Sequence, residues 1–270
     1  MTSYQKWYEM IKVHLGTYKV NDLGIKEDGI WKGNGRRYSH ILPLEQGDEN
    51  YLCDEAKKAL KDDEKHQDWY HLNSSQTLCV NFFAPLKEID GGKYLDLLMT
   101  RLFEKKIAIK DSCFEYVPIK NSTNFDFYAK DESNGQYFFE IKYTEDGITK
   151  SGGGKTPFKA YALFYKKDVE ANPAFVNIDA NMFMNNHFQA YRNMVKGNGI
   201  DYSIFITMRG NPNTSKELKS SISDLGVTAL PNIKILYWED LIDLVIKLVG
   251  DNNYLNEYYK KLKTKYIPKL

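Results

Sequence analysis

Between residues 94 and 143 the hydrophobic period of the chain changes, and this switch restricts the fold more than any other feature. The segment "YLDLLMTRLFEKK" (94–106) repeats Leu and Phe at helical spacing. The segments that follow, "CFEYVPI", "NFDFYAK" and "QYFFEIKY", are aromatic and β-branched, with breaks at "KNST" and "DESNG". They predict three strands, the last two joined as a hairpin. Two further apolar strands, "DYSIFITM" and "IKILYW", then alternate with helical patterns at 158–172, 182–197, 214–226 and 239–249. Antiparallel strands first and α/β alternation later predict an α/β fold: a mixed central sheet with helices on both faces.

Upstream of the switch the pattern is weaker. Residues 1 to about 48 are rich in Gly, Asn and charge, and are expected to form an irregular segment packed on the core. The charged stretch 54–70 reads as an exposed helix. "NSSQTLCVNFFAPL" (73–86) has capping residues at Asn73–Ser75 and reads as a buried helix closed by Pro85. The expected organisation is an N-terminal extension over 1–70 and a main domain over 71–270. The charged C-terminal stretch 256–270 reads as a solvated helix.

Composition narrows the function classes. A net charge of +1 provides no global positive field, although a local basic patch suffices for nucleic acid. Cys53, Cys79 and Cys113 are widely spaced with no CxxC pair, which argues against a disulfide framework or zinc site and fits a reduced cytoplasm. The N-terminus is too polar for a signal peptide, and the apolar run near "LIDLVIKLVG" is too short and interrupted to span a membrane. His14, His40, His66, His71 and His187 show no ligand spacing.

The chemistry lies in "FFEIKYTED" (138–146). Successive strand side chains alternate faces, so Glu140 and Lys142 share one face while Phe139, Ile141 and Tyr143 share the other. An acid and a base on a buried strand need compensation. Asp126, between Phe125 and Phe127 on the preceding strand, supplies a second carboxylate if the hairpin brings it beside Glu140. Hard oxygen ligands of this kind suit Mg²⁺. The hairpin register decides the matter. A two-residue turn at Asn134-Gly135 would pair residues whose numbers sum to 269, placing Asp126 opposite Glu140's face. A shared face needs an even sum, hence an odd loop or a bulge, with Gly135 expected in the left-handed position.

Asp126 followed by Glu140-Ile141-Lys142 resembles the D…(D/E)xK pattern of the PD-(D/E)XK nuclease superfamily, the restriction-endonuclease-like proteins. Phe125 stands where the family name has proline. The element order from about 90 to 210 is similar to the α-β-β-β-α-β core of that fold, and "SSQTLCVNFFAPL" and "HFQAYRN" look like blocks of bacterial members. The resemblance covers about residues 70–245 and leaves the first 70 without a counterpart. It implies a restriction-type endonuclease that hydrolyses DNA phosphodiester bonds, with Mg²⁺ or Mn²⁺ as cofactor. Asp126 and Glu140 would hold the metal with the Ile141 carbonyl, and Lys142 would serve the attacking water. Further candidates are Glu115 on the first strand, Gln76 on the buried helix, and Gln189 and Arg192 on one helix face. Lys150 and Lys155, in the Gly-rich stretch "KSGGGKTP", are candidates for backbone contacts to DNA. That stretch is no P-loop, because Thr149 stands where the first glycine belongs. A homodimer is one arrangement that supplies the two sites needed to cut both strands. The alternatives are a DNA-binding or repair-associated module of the same fold without cleavage, and a protein-interaction scaffold.

Overall fold

A computed structural model of the chain describes residues 1–120, 122–148, 158–185, 187–226 and 230–268. Two compact units emerge. The first comprises Met1–Ile109, Met208–Asn211 and Tyr237–Leu270; the second comprises Lys110–Thr207 and Pro212–Leu236. The boundary drawn at residue 70 from the sequence falls inside the first unit. Among the described residues no helix is long and apolar enough to cross a membrane.

The first unit opens with helix α1 (Ser3–Asn21), not with an irregular segment. Its start is written locally: Thr2 Oγ1 accepts from the Gln5 N–H at 3.1 Å, and Gln5 Oε1 accepts from the Thr2 N–H at 2.8 Å. Ile11, Leu15 and Tyr18, spaced at helical intervals, are buried. A short hairpin of β1 (Gly29–Ile30) and β2 (Arg37–Tyr38) follows. The expected helix over 54–70 shrinks to α2 (Asp54–Lys57). Beyond it, polar side chains capture the backbone groups a helix would use. Glu64 Oε2 accepts from the Lys61 N–H, and the Gln76 amide takes the Glu64 carbonyl and the His66 N–H, all at 2.8–2.9 Å. Helix α3 (Ser75–Glu88) is capped by Ser74 and buried along most of its length, and α4 (Lys93–Phe103) follows.

The second unit is built on one five-stranded sheet in the order β3 (Ile109–Tyr116), β4 (Phe125–Asp131), β5 (Gln136–Ile141), β6 (Tyr202–Thr207) and β7 (Ile233–Tyr237). β4 and β5 are antiparallel, while β5 and β6 are parallel. The parallel pair needs a crossover, which contains α5 (Phe158–Phe164), α6 (Lys166–Ala171), α7 (Ala180–Asn185) and α8 (Phe188–Met194). Between β6 and β7 lies α9 (Pro212–Leu225), ended by Gly226 at φ 69°. β5 and β6 are buried at every position after the first, as central strands covered on both faces are. Phe183, Tyr191, Phe205, Leu218 and Leu225 form part of one buried cluster of this unit.

The β4–β5 turn meets the parity condition. Phe127 pairs with Phe139, Tyr128 with Phe138 and Lys130 with Gln136, so the paired numbers sum to 266. Three residues, 132–134, close the loop: the Asp131 N–H bonds to the Gly135 carbonyl, and the Asn134 N–H to the Asp131 carbonyl, each at 3.0 Å. The left-handed residue is Asn134, at φ 67°, not Gly135. Gly135 is needed for room instead: a Cβ there would lie 2.9 Å from Asp131 Oδ2 and 3.2 Å from the Ile200 carbonyl oxygen.

The chain returns to the first unit through α10 (Trp238–Leu248) and α11 (Asn253–Tyr266). Helix α11 explains why Pro85 sits inside α3 rather than ending it. Proline has no N–H for the carbonyl four residues back, that of Asn81. The Tyr258 hydroxyl donates to that carbonyl at 2.7 Å instead, and the Tyr259 hydroxyl donates to the next one, Phe82, at 2.6 Å. The C-terminal lysines are not all solvated: Lys265 is fully buried, with Nζ donating to Asn50 Oδ1 at 2.7 Å.

Candidate active site

Continuing the β4–β5 register by one residue sets Asp126 across from Glu140, on one face of the sheet. The backbone ladder stops there. The Ile141 N–H, which faces β4, bonds to Asp126 Oδ2 at 2.6 Å. The Lys142 N–H points the other way, to the Ile206 carbonyl of β6 at 2.8 Å. Lys142 Nζ lies 2.6 Å from Glu140 Oε1, and both side chains are largely buried. The Ile141 side chain is fully buried, and by alternation it projects to the opposite face.

Two side chains, Lys142 and Asn193, engage Glu140 directly. From α8, Asn193 Nδ2 donates to Glu140 Oε2 at 2.6 Å, and Asn193 Oδ1 accepts from Thr123 Oγ1 at 2.7 Å. Asn193 and Thr123 are fully buried. The Thr123 hydroxyl therefore sets which end of the Asn193 amide faces the carboxylate. Both Glu140 oxygens are thereby engaged, one by a charge and one by an amide.

The electrostatics follow from two acids sharing a crowded face. Burial pushes the Asp126 carboxyl well above its ordinary range, and the Glu140 charge pushes the same way, with a smaller contribution from Glu115. Lys142 and the Ile141 N–H oppose the rise without overcoming it. Burial acts to lower the Lys142 pKa, but Glu140, Glu145 and Asp126 outweigh it and raise the value, so the ammonium stays charged. Negative charge exceeds positive around Lys142. Such a site gains from a cation, for which its carboxylate oxygens are hard donors. Among the described residues no three His, Cys, Asp or Glu side chains form a ligand cluster. Protein donors for a metal would thus be Asp126, Glu140 and a backbone carbonyl, with water and substrate oxygens in the remaining positions.

The other candidates lie as follows. Glu115, on β3, adopts φ 52°, unusual for a non-glycine residue inside a strand, and hydrogen-bonds to the Asn124 amide. Its charge is felt at Asp126. Gln76 belongs to the first unit, where its amide bridges residues 64 and 66. Gln189 sits one helical turn before Asn193, so it shares the side of α8 from which Asn193 reaches Glu140. Arg192 turns elsewhere, with its guanidinium 5.7 Å from the centre of the Phe188 ring. Lys150 and Lys155 lie outside the described residues. Thr123 and Glu145 were missed by sequence reasoning. Glu145, whose Oε2 accepts from the Tyr143 N–H at 2.6 Å, had a signal in its place just past the strand. Thr123, in a polar break far from Asn193 in sequence, had none.

A family model described as "Restriction Endonuclease associating with ARP" matches residues 12–267. The chain belongs to this restriction-endonuclease family. The match takes in most of the first 70 residues, which the D…ExK resemblance alone leaves unexplained, and it runs through both compact units. No curated protein and no solved structure matches. The mixed five-stranded sheet is consistent with the restriction-endonuclease-like fold expected of a family member.

Proposed function

We propose that this chain is a Mg²⁺-dependent, restriction-type endonuclease that hydrolyses DNA phosphodiester bonds, with Mn²⁺ able to replace Mg²⁺. The observation that carries this reading is the β4–β5 register, which puts Asp126 and Glu140 on one face beside Lys142. Asp126 and Glu140 would hold the metal, with the Ile141 carbonyl as a further donor. Bound there, a divalent cation would polarise a phosphate oxygen and lower the pKa of a water molecule. Lys142, kept protonated by its carboxylate neighbours, is no proton acceptor. Its Nζ orients water by donating to it and offsets the charge that develops on phosphorus-bound oxygens. Asn193 keeps one Glu140 oxygen occupied, so the other, Oε1, is the one shared between Lys142 and a ligand. The family description names association with ARP, and we extend that association to this chain as a partner.

Engagement of both Glu140 oxygens by protein donors favours a second reading, a module of this fold that binds DNA without cutting it. Purified protein on plasmid DNA separates the two. Cleavage should require Mg²⁺ and stop in EDTA. Lys142→Ala should keep DNA binding and lose roughly 10²–10³-fold in rate, the usual loss for one electrostatic donor. Binding without cleavage under every metal condition selects the second reading. An unchanged rate in Lys142→Ala removes the site from the reaction.

A further inference from the structure

The first unit carries a cavity of about 310 Å³ that the cleavage site does not use, lined by Trp31, Tyr38, His40, Asp68, His71 and Lys12 among others. Local pairing builds it. Ile41 bridges His71, and the Leu72 N–H bonds to the His40 carbonyl at 3.1 Å, which brings the two histidines onto adjacent segments. The β1–β2 hairpin adds Trp31 and Tyr38, and Gly33 lies so near the indole that a Cβ would come within 2.9 Å of Trp31 Cε2. The rings stand at steep angles: Trp31 to Tyr38 at 66°, Trp31 to His71 at 80° and Tyr38 to His40 at 63°. A flat ring can stack on one of these faces and meet the others at their edges. Trp31 is 38% exposed, a large apolar face left open on the surface.

The polar groups define what such a ring must offer. His71 is 92% buried, and its Nε2 has no hydrogen-bond partner among the described residues. Asp68 Oδ1, likewise buried without a partner, lies 3.5 Å from it, too far for a well-formed hydrogen bond. The Asp68 side chain as a whole is about half exposed. This pair provides an acceptor for an amine beside a ring nitrogen. Lys12 disfavours a cationic occupant, although aromatic walls alone would suit one. Its ammonium lies over the Tyr8 ring and pairs with Glu9 at 2.5 Å, and Glu9 is half exposed, so a phosphate there would displace that carboxylate from Lys12.

We propose that this cavity binds a nucleotide whose base carries an exocyclic amine, with the base stacked on Trp31, the amine donated to Asp68 and the phosphate near Lys12. The assignment deepens the nucleic-acid reading above and rests on it for the choice of a nucleotide over other planar ligands. It also gives the first unit a share in substrate recognition.

The test is titration of the full chain in EDTA with dAMP, dCMP, dGMP and dTMP, by calorimetry and tryptophan fluorescence. The three amine-bearing nucleotides should bind saturably, at least tenfold tighter than dTMP. Trp31→Ala should weaken them at least tenfold, which is about 1.4 kcal/mol, with an unchanged far-ultraviolet spectrum because the indole is partly exposed. Asp68→Ala, which removes the acceptor, should erase the preference over dTMP. No saturable binding at millimolar nucleotide, or binding indifferent to both substitutions, overturns the assignment. Because no metal is present, this result is independent of cleavage. Plasmid cutting without nucleotide binding defeats only the cavity, and nucleotide binding without cutting defeats only the nuclease.

Discussion

Asn193 shows how much of the site rests on single contacts between distant residues. Glu140 is a carboxyl group in a buried setting, and one of its oxygens depends on the Asn193 amide. Removing that donor leaves a buried acceptor unsatisfied, so Asn193→Ala should lower unfolding stability by about 1–3 kcal/mol. Thr123→Val also leaves a buried acceptor, Asn193 Oδ1, without its donor, but a neutral amide oxygen rather than a carboxylate, so it should lower stability less. Urea denaturation of the two variants should give that order, and the reverse order would place Thr123, not Asn193, as the main support. The shared face of Glu140 and Lys142 was legible in the sequence because alternation on a strand is a local rule, whereas the place of Asp126 depended on the hairpin register. The Asn193–Thr123 support was not legible, because it joins residues 70 apart whose pairing exists only after the sheet and α8 have packed.

At the scale of elements, the β4–β5 hairpin carries the geometry of the site. A register slip of one residue would send Asp126 to the other face. Asn134 occupies a left-handed conformation that costs an ordinary residue about 1–2 kcal/mol. Asn134→Ala should therefore destabilise the protein by about 1 kcal/mol, while Asn134→Gly should be neutral or stabilising. Gly135→Ala should be worse than either, at about 1–3 kcal/mol, because the added methyl presses on Asp131 Oδ2, which accepts from the Tyr137 hydroxyl at 2.8 Å. Thermal unfolding of the three variants tests the ranking. The need for an odd loop could be deduced from parity, yet the identity of the left-handed residue could not, since Asn and Gly both tolerate it. A similar limit applied over 54–70 and at Pro85. Helical composition lost to side chains that took the backbone groups, and a helix-breaking residue was accommodated by a tyrosine hydroxyl from α11.

On the scale of the whole molecule, stability should fall in mild acid, and the first unit is where the cause lies. His14, His40 and His71 all have pKa values lowered by burial, His40 from 6.5 to about 3. The folded state thus binds protons less readily than the unfolded chain. The stability tied to His40 is fully present above about pH 6.5 and is lost as pH falls toward about 3. The loss is on the order of a few kcal/mol. Melting temperature measured from pH 7.5 to 4.5 should decline steadily, and His40→Gln should flatten the decline. An identical acid limb in the variant would rule His40 out as its source. By itself the sequence determined the five strands of the sheet, most of the helices beyond residue 73 and the shared face of Glu140 and Lys142, because hydrophobic period and capping are set by neighbours a few residues apart; it misled over α1 and over 54–70, where only a short helix forms. Only the tertiary structure decided that residues 1–109 gather with the C-terminal helices into one unit, that Lys265 is buried, and that Asn193 reaches Glu140. Those outcomes depend on which distant surfaces fill each other's space and satisfy each other's polar groups, and no local pattern encodes that.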